Sequence, residues 1–390
     1  MANVPTNLAY SEVITAVSTG VQILASAANT PFSQLISNTK LIVDSDKALS
    51  FQIASTEPTG FVSRTSSSFT FTSSTCVFNI AATCGSFTVY SGGVKMEIVS
   101  ASITVASSVG QHYIYFNSSG VIQQSLTEWL FSSLDIPIAI IYWNGVKAMT
   151  LDERHGIRMD GSTHEYLHDT RGCVFGEGLT MTGSAQYMTT TSGSVWDEDI
   201  EFTMSTQTRY KIFYMNGSAT WQWTELQSAV YMNSGSTLQY NSGTTMVSAG
   251  NNSYIAYWVF GTNSTTSPIL IIMGQRNDGT LALATTNATP NALVLGTLPV
   301  NEIKLLYRLI FRYQTAGLTT TLMDTTDYRT ASPTGISGYI ATNHSTLSGL
   351  TNLDHPASAV VVTPEGTITA TDVGSAINQQ NINVMVMSIL

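Results

Sequence analysis

Apolar and polar residues alternate with a period of two along much of this chain. Between Val99 and Val105, every second residue is apolar, and the residues between them are serine or threonine. Successive side chains of a β-strand point to opposite faces, so this pattern predicts a strand with one buried face. The continuous apolar run at residues 136–143 predicts instead a strand that is buried on both faces. The chain is therefore predicted to be an all-β protein.

Two turn sequences predict β-hairpins. Asn216-Gly217 lies between aromatic-rich runs within residues 209–224, and Asn-Gly favours the positive φ angles of a type I′ turn. Asn277-Asp278-Gly279 lies between an apolar run at 269–273 and the Leu-Ala-Leu sequence at 281–283. Both pairs of runs are expected to form antiparallel strands joined by tight turns.

The pattern divides the chain into five parts. Residues 31–150 and residues 176–330 are rich in strand-like sequence and predict two tandem antiparallel β-sandwich-like domains. Residues 151–175 carry a much higher density of charge and predict a linker with one short helix. Residues 1–30 are expected to be an N-terminal arm, and residues 331–390 a separate C-terminal segment with an apolar end.

The 390-residue chain carries unusually little charge. Charged residues make up 10% of it, whereas an ordinary soluble domain has roughly a quarter. Serine and threonine fill the deficit with 46 and 54 residues. The hydrophobic content of 43% argues against disorder, and the 15 Lys and Arg against 25 Asp and Glu argue against nucleic-acid binding. A surface this poor in charge is expected to be committed largely to contact with other subunits.

The chain is expected to fold in a cytosol. Its first residues contain neither a basic stretch nor a long apolar core, so no signal peptide is expected. The longest apolar run, at residues 136–143, is far shorter than the roughly 20 residues that a membrane-spanning helix needs. Cys76, Cys84 and Cys173 are an odd number without CxxC spacing, which favours buried free thiols over a pairing of Cys76 with Cys84 across a hairpin.

One sequence in the linker matches a zinc-protease motif. His164-Glu165-Tyr166-Leu167-His168 fits H-E-x-x-H, in which two histidines on one helix face bind zinc and the glutamate is the general base. Gly161 and Gly172 limit this helix to two or three turns, and a role for Glu177 or Glu198 as the third ligand would be a guess. We therefore expect no catalytic residue, no metal and no cofactor. A zinc metalloprotease that uses His164, Glu165 and His168 is the less favoured alternative.

Two further groups of residues could carry chemistry. Asp197-Glu198-Asp199 could serve glycoside hydrolysis, but the two carboxylates of that reaction flank a sugar and are usually far apart in sequence. A solvated turn or a cation site is the favoured interpretation of this sequence. The rings of Trp221, Trp223 and Trp258 could stack on a glycan if they were exposed, whereas burial in a sandwich core is favoured.

The C-terminal segment resembles a motif of tailed-bacteriophage fibre and appendage proteins. That motif runs His-Ser-x-Leu-Ser-Gly-Leu, then a short spacer and Asp-His, and Pro356-Ala357-Ser358 here replaces the Tyr-Leu pair that usually follows it. Residues 112–120, 136–143, 151–172 and 369–377 are similar to runs in the same class of phage proteins. The positions that match the motif are His344, Ser345, Leu347, Ser348, Gly349, Leu350, Asp354 and His355.

The resemblance implies a virion structural protein of a tailed phage that is not an enzyme. It implies a homotrimeric tail fibre or appendage, in which residues 331–390 form an intertwined trimerisation and attachment segment. The expected partners are other copies of the chain and other tail or capsid proteins, with a host-surface glycan or protein as an open alternative. Neither nucleic acid nor insertion into a membrane is expected. The expected location is the virion, assembled in the host cytoplasm.

Other functions stay open beside this one. A head fibre or a tail adaptor with a purely structural role is the alternative within the same class. A glycan-degrading tailspike is less favoured, because such spikes usually have long solenoid repeats and the sequence shows no such period.

Overall fold

The described part of the chain is mostly β-structure. The structure is a computed structural model, and it describes residues 58–331 apart from residue 265, together with residues 39 and 375. About half of it is strand, arranged in several small sheets. Two helices interrupt the strands, α1 at Gly161–Thr170 and α2 at Leu281–Asn287. No helix among these residues is long and apolar enough to cross a lipid bilayer.

Ten strands form three sheets before α1. They are β1 Gly60–Phe61, β2 Ser67–Thr72, β3 Val77–Ala82, β4 Phe87–Ser91, β5 Val94–Ile98, β6 Ser100–Thr104, β7 Gly110–Phe116, β8 Ile122–Ser125, β9 Ile136–Trp143 and β10 Ala148–Asp152. Two sheets have three strands, in the orders β1–β4–β5 and β2–β3–β6, and the third has the order β10–β9–β7–β8. Alternating apolar side chains, among them Phe61, Phe78 and Phe116, form one core between these sheets.

Strand β9 is buried along its whole length, so the prediction for residues 136–143 is confirmed. It pairs antiparallel with β7 on one side and with β10 on the other. Ile138 and Ile141 belong to the core of the first three sheets. Ile140 and Tyr142 belong to a second core, which also contains Trp221 from a strand after α1. Apolar packing on both faces of β9 therefore links the strands before α1 to those after it.

Fourteen strands follow α1. They are β11 Cys173–Gly178, β12 Met181–Ser184, β13 Tyr187–Thr190, β14 Gly193–Asp197, β15 Ile200–Met204, β16 Lys211–Met215, β17 Trp221–Trp223, β18 Asn233–Ser234, β19 Thr237–Ser242, β20 Thr245–Ser248, β21 Ser253–Thr262, β22 Ile269–Ile272, β23 Ile303–Gln314 and β24 Thr319–Asp327. The largest sheet has the order β17–β16–β22–β21–β23–β24. The smaller sheets are β11–β14–β15, β12–β13 and β18–β19–β20. The pairing of β16 with β22 is parallel, and the other strand pairs of these sheets are antiparallel.

The hairpin predicted within residues 209–224 is confirmed, but its turn is wider than Asn216-Gly217 suggests. Met215 of β16 lies opposite Trp221 of β17, so residues 216–220 form the connection. Trp221 fixes this register, because its indole N–H donates to the carbonyl of Leu295 at 2.7 Å and its side chain is fully buried. Packing of the aromatic strand thus overrides the two-residue turn that the sequence favours.

The second predicted hairpin, after Asn277-Asp278-Gly279, is wrong. The Leu-Ala-Leu sequence begins helix α2 and not a strand. The hydroxyl oxygen of Thr280 accepts the N–H of Leu283 at 3.2 Å and caps the helix. Alanine and leucine have high helix propensity, and a short apolar run alone does not distinguish a strand from a helix.

The three cysteines are free, as predicted, but only Cys173 is buried. Cys76 is half-buried and Cys84 is exposed. Both lie in the turns that precede and follow β3 rather than within that strand, so neither side chain reaches the core.

Several predictions lie outside the described residues. They include the N-terminal arm at residues 1–30 and all eight motif positions between His344 and His355. The coarse fold class, a mostly β chain, is confirmed. The division into two tandem sandwich-like domains and the trimer stay predictions.

Candidate functional site

A buried cluster of histidines and carboxylates lies where the two β regions meet. We call it the central cluster and define it as His155, His164 and His168 with Glu153, Asp197, Glu198, Asp199, Asn263 and Glu302. Their side chains come from three kinds of segment. The first is the segment after β10, which carries Glu153 and His155, and the second is helix α1, which carries His164 and His168. The third kind is a strand end: Asp197, Glu198 and Asp199 lie at the end of β14 and in the turn after it, Asn263 follows β21, and Glu302 precedes β23.

The segment after β10 is held by a buried ion pair. The Nε and Nη2 atoms of Arg154 donate to the two carboxylate oxygens of Asp152, each at 2.7 Å. Its Nη1 atom donates to the carbonyls of Arg64 and Ser67 at 2.9 and 2.6 Å. Next to it, the carbonyl of His155 accepts the backbone N–H of Phe61 at 2.8 Å. These bonds place His155 at the edge of the first sheets with its ring directed inward, 3% exposed.

Helix α1 presents two histidines to the same place. Asp160 caps it, since its carboxylate accepts the backbone N–H of Thr163 at 3.0 Å. His164 and His168 are four residues apart, so they lie on one face, and both are buried. The helix has 10 residues and ends before Gly172, which agrees with the short helix predicted for the linker.

The turn between β14 and β15 supplies the opposing carboxylates. Asp197 pairs with Ile200, so Glu198 and Asp199 are the two residues of the turn. Glu198 has a φ of +43°, a conformation that costs a residue other than glycine roughly 1–3 kcal/mol. Its side chain is nevertheless fully buried. Strain and burial of a carboxylate at the same residue indicate a functional constraint.

Three histidine nitrogens converge on Glu198. The distances to its carboxylate oxygens are 3.7 Å from His155 Nε2, 3.9 Å from His164 Nε2 and 3.5 Å from His168 Nδ1. Neither carboxylate oxygen of Glu198 accepts a hydrogen bond, and His164 Nε2 and His168 Nδ1 have none either. Buried polar groups are normally hydrogen-bonded, so this concentration of unpaired atoms requires an explanation.

Two of these histidines are oriented by other carboxylates. Asp199 accepts a hydrogen bond from His155 Nδ1 at 2.7 Å, and Glu128 accepts one from His168 Nε2 at 3.0 Å. Ionised carboxylates only accept, so these two ring nitrogens carry the protons. The second nitrogen of each ring also faces a carboxylate. His155 Nε2 lies 3.3 Å from Glu153 and 3.7 Å from Glu198, and His168 Nδ1 lies 3.5 Å from Glu198. The ring of Phe131 covers the third histidine, with its centroid 3.8 Å from that of His164.

A second group of carboxylates surrounds Asn263. Its Nδ2 atom lies 2.9 Å from Glu153, 2.6 Å from Asp197 and 3.1 Å from Glu302. An amide has two N–H donors, so it can satisfy at most two of these three carboxyl groups at once. His155 Nε2, 3.3 Å from Glu153, offers one further hydrogen bond to this group.

The pKa values of the carboxyl groups in the cluster are shifted in opposite directions. Desolvation and the neighbouring carboxylates raise the pKa of Asp197 and of Glu302 well above their usual range. Burial also opposes the ionisation of Glu198, but its contact with His168 and the charges of both His155 and His168 lower its pKa below the usual value. The carboxyls around Asn263 thus favour the protonated form, whereas Glu198 favours the charged form.

The three histidines also differ in pKa. Burial lowers the pKa of His168, but its contacts with Glu128 and Glu198 outweigh burial and raise it to about 10. The pKa of His155 is likewise raised well above its usual value against burial, chiefly by Asp199. Burial and the charges of the other two histidines lower the pKa of His164. The cluster thus attracts positive charge, which its own side chains supply only by binding protons.

The structure brings together two of the three motif residues singled out from the sequence. His164 and His168 face the cluster, whereas Glu165 turns away and accepts the backbone N–H of Ser132 at 3.1 Å. The turn at Asp197-Glu198-Asp199 is not solvated, because Asp197 and the side chain of Glu198 are fully buried. The cation-site interpretation of that turn stays open.

Other candidates lie in the core. Trp221, Trp223 and Trp258 are 0, 5 and 2% exposed, so the core interpretation of these rings agrees with their burial. The residues that sequence reasoning missed are His155, Glu128 and Asn263. The density of charge at residues 152–171 pointed to the first of them, but the sequence carries no signal for the other two.

Comparisons with protein-family models, with curated proteins and with solved structures found no match for this chain.

Proposed function

We propose that this chain is a non-enzymatic structural protein of a tailed-phage particle. It forms a homotrimeric tail fibre or appendage with two tandem β-sandwich-like domains, and residues 331–390 trimerise and attach it. The resemblance of the segment from His344 to His355 to phage fibre proteins supports this proposal. So does a charge content of 10%, because a chain with few charges can bury large surfaces against copies of itself at little desolvation cost.

One observation carries the structural rather than the catalytic interpretation, namely the closure of the central cluster. The side chains of His155, His164, His168 and Glu198 are at most 8% exposed, which supports a structural role for them over contact with a substrate. The glutamate that a zinc protease would use as base, Glu165, is bound to a loop instead. A closed cluster at the meeting point of several segments is suited to holding those segments together.

The exposed apolar side chains support assembly. Of the seventeen large hydrophobic residues that are exposed in the described part of the chain, nine lie before α1. The proposed trimer would bury such side chains against other subunits and remove their apolar surface from water. They are Val62, Val94, Val99, Val109, Val121, Leu126, Leu130, Leu134 and Val146.

The trimer has a direct test. Native mass spectrometry of the full chain at micromolar concentration is expected to show three times the 41.9-kDa chain mass. The double substitution Leu347→Asp and Leu350→Asp is expected to shift the chain to monomer, because it places charge at two apolar motif positions. Ala357→Asp, which adds a charge outside the matched positions, is the control and is expected to stay trimeric. A stable monomer of the unsubstituted chain would contradict the proposal.

The location on the particle separates the alternatives. We expect gold-labelled antibodies against this chain to bind the tail of intact particles in electron micrographs. Label on the capsid would support a head fibre instead, and label at the junction of head and tail a purely structural adaptor. Host contact is tested separately: the purified chain should bind host cells and compete with the phage, and failure in both assays would remove host binding from the proposal.

A further inference from the structure

We propose that the central cluster binds one divalent transition-metal ion, with His155, His164, His168 and Glu198 as its ligands. The ion is of the class that prefers imidazole nitrogen, to which Zn²⁺ and Co²⁺ belong. The proposal does not depend on the phage assignment, since it concerns side chains within one chain.

The distances within the cluster fit ligands around a cation better than hydrogen bonds. The three histidine nitrogens lie 3.5 to 3.9 Å from the carboxylate oxygens of Glu198. An N–H···O hydrogen bond is about 2.7–3.2 Å long, so these contacts are too long for one. Tetrahedral zinc with bonds of about 2.0–2.1 Å keeps neighbouring ligand atoms about 3.3 Å apart. His155, His164 and Asp199 also each offer a ligand atom within 4.8 Å of those of the other two.

The unpaired atoms are those that a cation would use. His164 Nε2, His168 Nδ1 and both oxygens of Glu198 are buried without a hydrogen bond. A bound cation accepts electron pairs from all of them at once, which no single proton can do. It would therefore remove the cost of burying polar atoms without partners.

The surrounding residues match the outer shell of a metal site. A metal-binding histidine almost always donates its second ring N–H to a carboxylate, a carbonyl or water. His155 does so to Asp199 at 2.7 Å and His168 to Glu128 at 3.0 Å. When a metal ion displaces the second proton of each ring, these bonds hold the tautomers in which His155 Nε2 and His168 Nδ1 face Glu198. Phe131 closes the cluster on the side of His164 and keeps water away.

The balance of charge also favours a cation. Glu153, Asp197, Glu198, Asp199 and Glu302 lie within the cluster, and no lysine or arginine of the described chain forms an ion pair with any of them. His155 and His168 are the cationic partners of these carboxyl groups among the described residues, and a bound metal ion would supply positive charge without requiring both rings to be protonated. Three nitrogen ligands with one carboxylate exclude Ca²⁺ and Mg²⁺, which prefer oxygen ligands alone.

The test is metal content followed by reconstitution. Elemental analysis of the full chain, purified without chelator from zinc-supplemented medium, is expected to show one equivalent of metal per chain. After removal of the metal, addition of Co²⁺ is expected to produce the visible absorption of a cobalt ion with nitrogen ligands. The Zn²⁺-loaded chain is expected to melt at a higher temperature than the stripped chain, whereas Ca²⁺ should leave the melting temperature unchanged.

Three variants locate the site. His164→Ala and Glu198→Gln are expected to weaken Zn²⁺ binding at least about 100-fold, since loss of an outer-shell partner alone costs about 10–100-fold. Asp199→Asn removes such a partner and should fall within that range while the stoichiometry stays at one. His112→Ala is the matched control, because His112 is fully buried in β7 and contacts Ser108, outside the cluster. It should bind Zn²⁺ with unchanged affinity.

The outcomes that would overturn the proposal are equally definite. The proposal would be overturned if the purified chain contained no metal and bound neither Zn²⁺ nor Co²⁺ at equimolar concentration. Unchanged Zn²⁺ affinity in a folded His164→Ala or Glu198→Gln variant would also overturn it. If those variants fail to fold, the stoichiometry and the cobalt spectrum of the unsubstituted chain decide the matter. A monomer that binds one metal ion would contradict the trimer and leave the metal site intact.

Discussion

Replacing Arg154 with methionine is expected to destabilise the protein by about 3–5 kcal/mol. Arg154 is 7% exposed and forms two hydrogen bonds to Asp152, whose carboxylate is fully buried. Methionine keeps the apolar part of the side chain but leaves Asp152 with only the partly exposed Arg64, which donates at 3.0 Å. It also removes the donors for the carbonyls of Arg64 and Ser67. An incompletely compensated buried charge is among the most costly single changes.

Thermal unfolding of the variant measures this effect. For a unit of this size, 3 kcal/mol corresponds to a fall of roughly 6–12 °C in melting temperature. Asp152→Asn, alone and combined with Arg154→Met, completes a double-mutant cycle, and the combined variant should be more stable than the sum of the single changes predicts. Lys95→Met, which breaks the exposed pair with Glu97, is the control and should leave the melting temperature unchanged. If the destabilisations caused by Asp152→Asn and Arg154→Met simply added in the double variant, the two side chains would not be energetically coupled as a buried ion pair.

The same substitution connects stability with the central cluster. Arg154 anchors the segment that carries His155, and the backbone of that segment pairs with Phe61. If the anchor is lost, His155 is less well positioned opposite Glu198. We therefore expect Arg154→Met also to weaken Zn²⁺ binding, although it touches none of the proposed ligands.

The strands were predictable where one physical requirement dominates. The run at residues 136–143 is apolar throughout and contains four β-branched isoleucines, and it forms a strand that is covered on both faces. Helix α2 was missed because Leu281-Ala-Leu283 suits either structure and the capping hydroxyl of Thr280 decides between them. The turn after Met215 was predicted too tight, since the burial of Trp221 sets the register from a distance. Local sequence does not encode such long-range packing.

The cluster was only half predictable for a similar reason. His164 and His168 are visible in the sequence because a helix places residues four apart on one face. Glu198 stood out as part of an acidic run, but its proximity to these histidines depends on how β14 and β15 fold back over α1. Nothing in the sequence pairs Glu128 or Asn263 with the same site. Residue spacing in the sequence can therefore identify ligands that share one helix or strand. Ligands that come from several elements are recognised only from the tertiary structure.

The central cluster also shows where this chain places some of its few charged residues. The charge-rich segment was predicted to be a linker with one short helix, and Asp152, Glu153 and Arg154 within it are buried. A chain with so few charges places a notable share of them in one interior cluster and leaves its surface to serine and threonine. Charge in this protein serves to join segments at least as much as to keep the surface soluble.

Asn263→Asp is expected to destabilise the protein as strongly as the loss of Arg154, by roughly 3–5 kcal/mol. The substitution hardly changes the size of the side chain, but it replaces the amide that donates to Glu153, Asp197 and Glu302 with a fourth carboxyl group. Four carboxyl groups would then meet with no amide donor between them, and His155 Nε2 would contact only Glu153 among the three that Asn263 now joins. Like charges this close cannot all be ionised, so the folded state must bind further protons or lose stability.

Asn251→Asp is the matched control for this variant. Asn251 is exposed, and its side-chain oxygen accepts the backbone N–H of Thr315 at 3.0 Å, a bond that a carboxylate can also accept. The same chemical change at that site should leave the melting temperature unchanged, whereas Asn263→Asp should lower it by several degrees. An Asn263→Asp variant as stable as the unsubstituted chain would contradict the role of the amide as a donor. If that variant also bound a second equivalent of metal, the position of Asn263 Nδ2 would be a cation site in its own right.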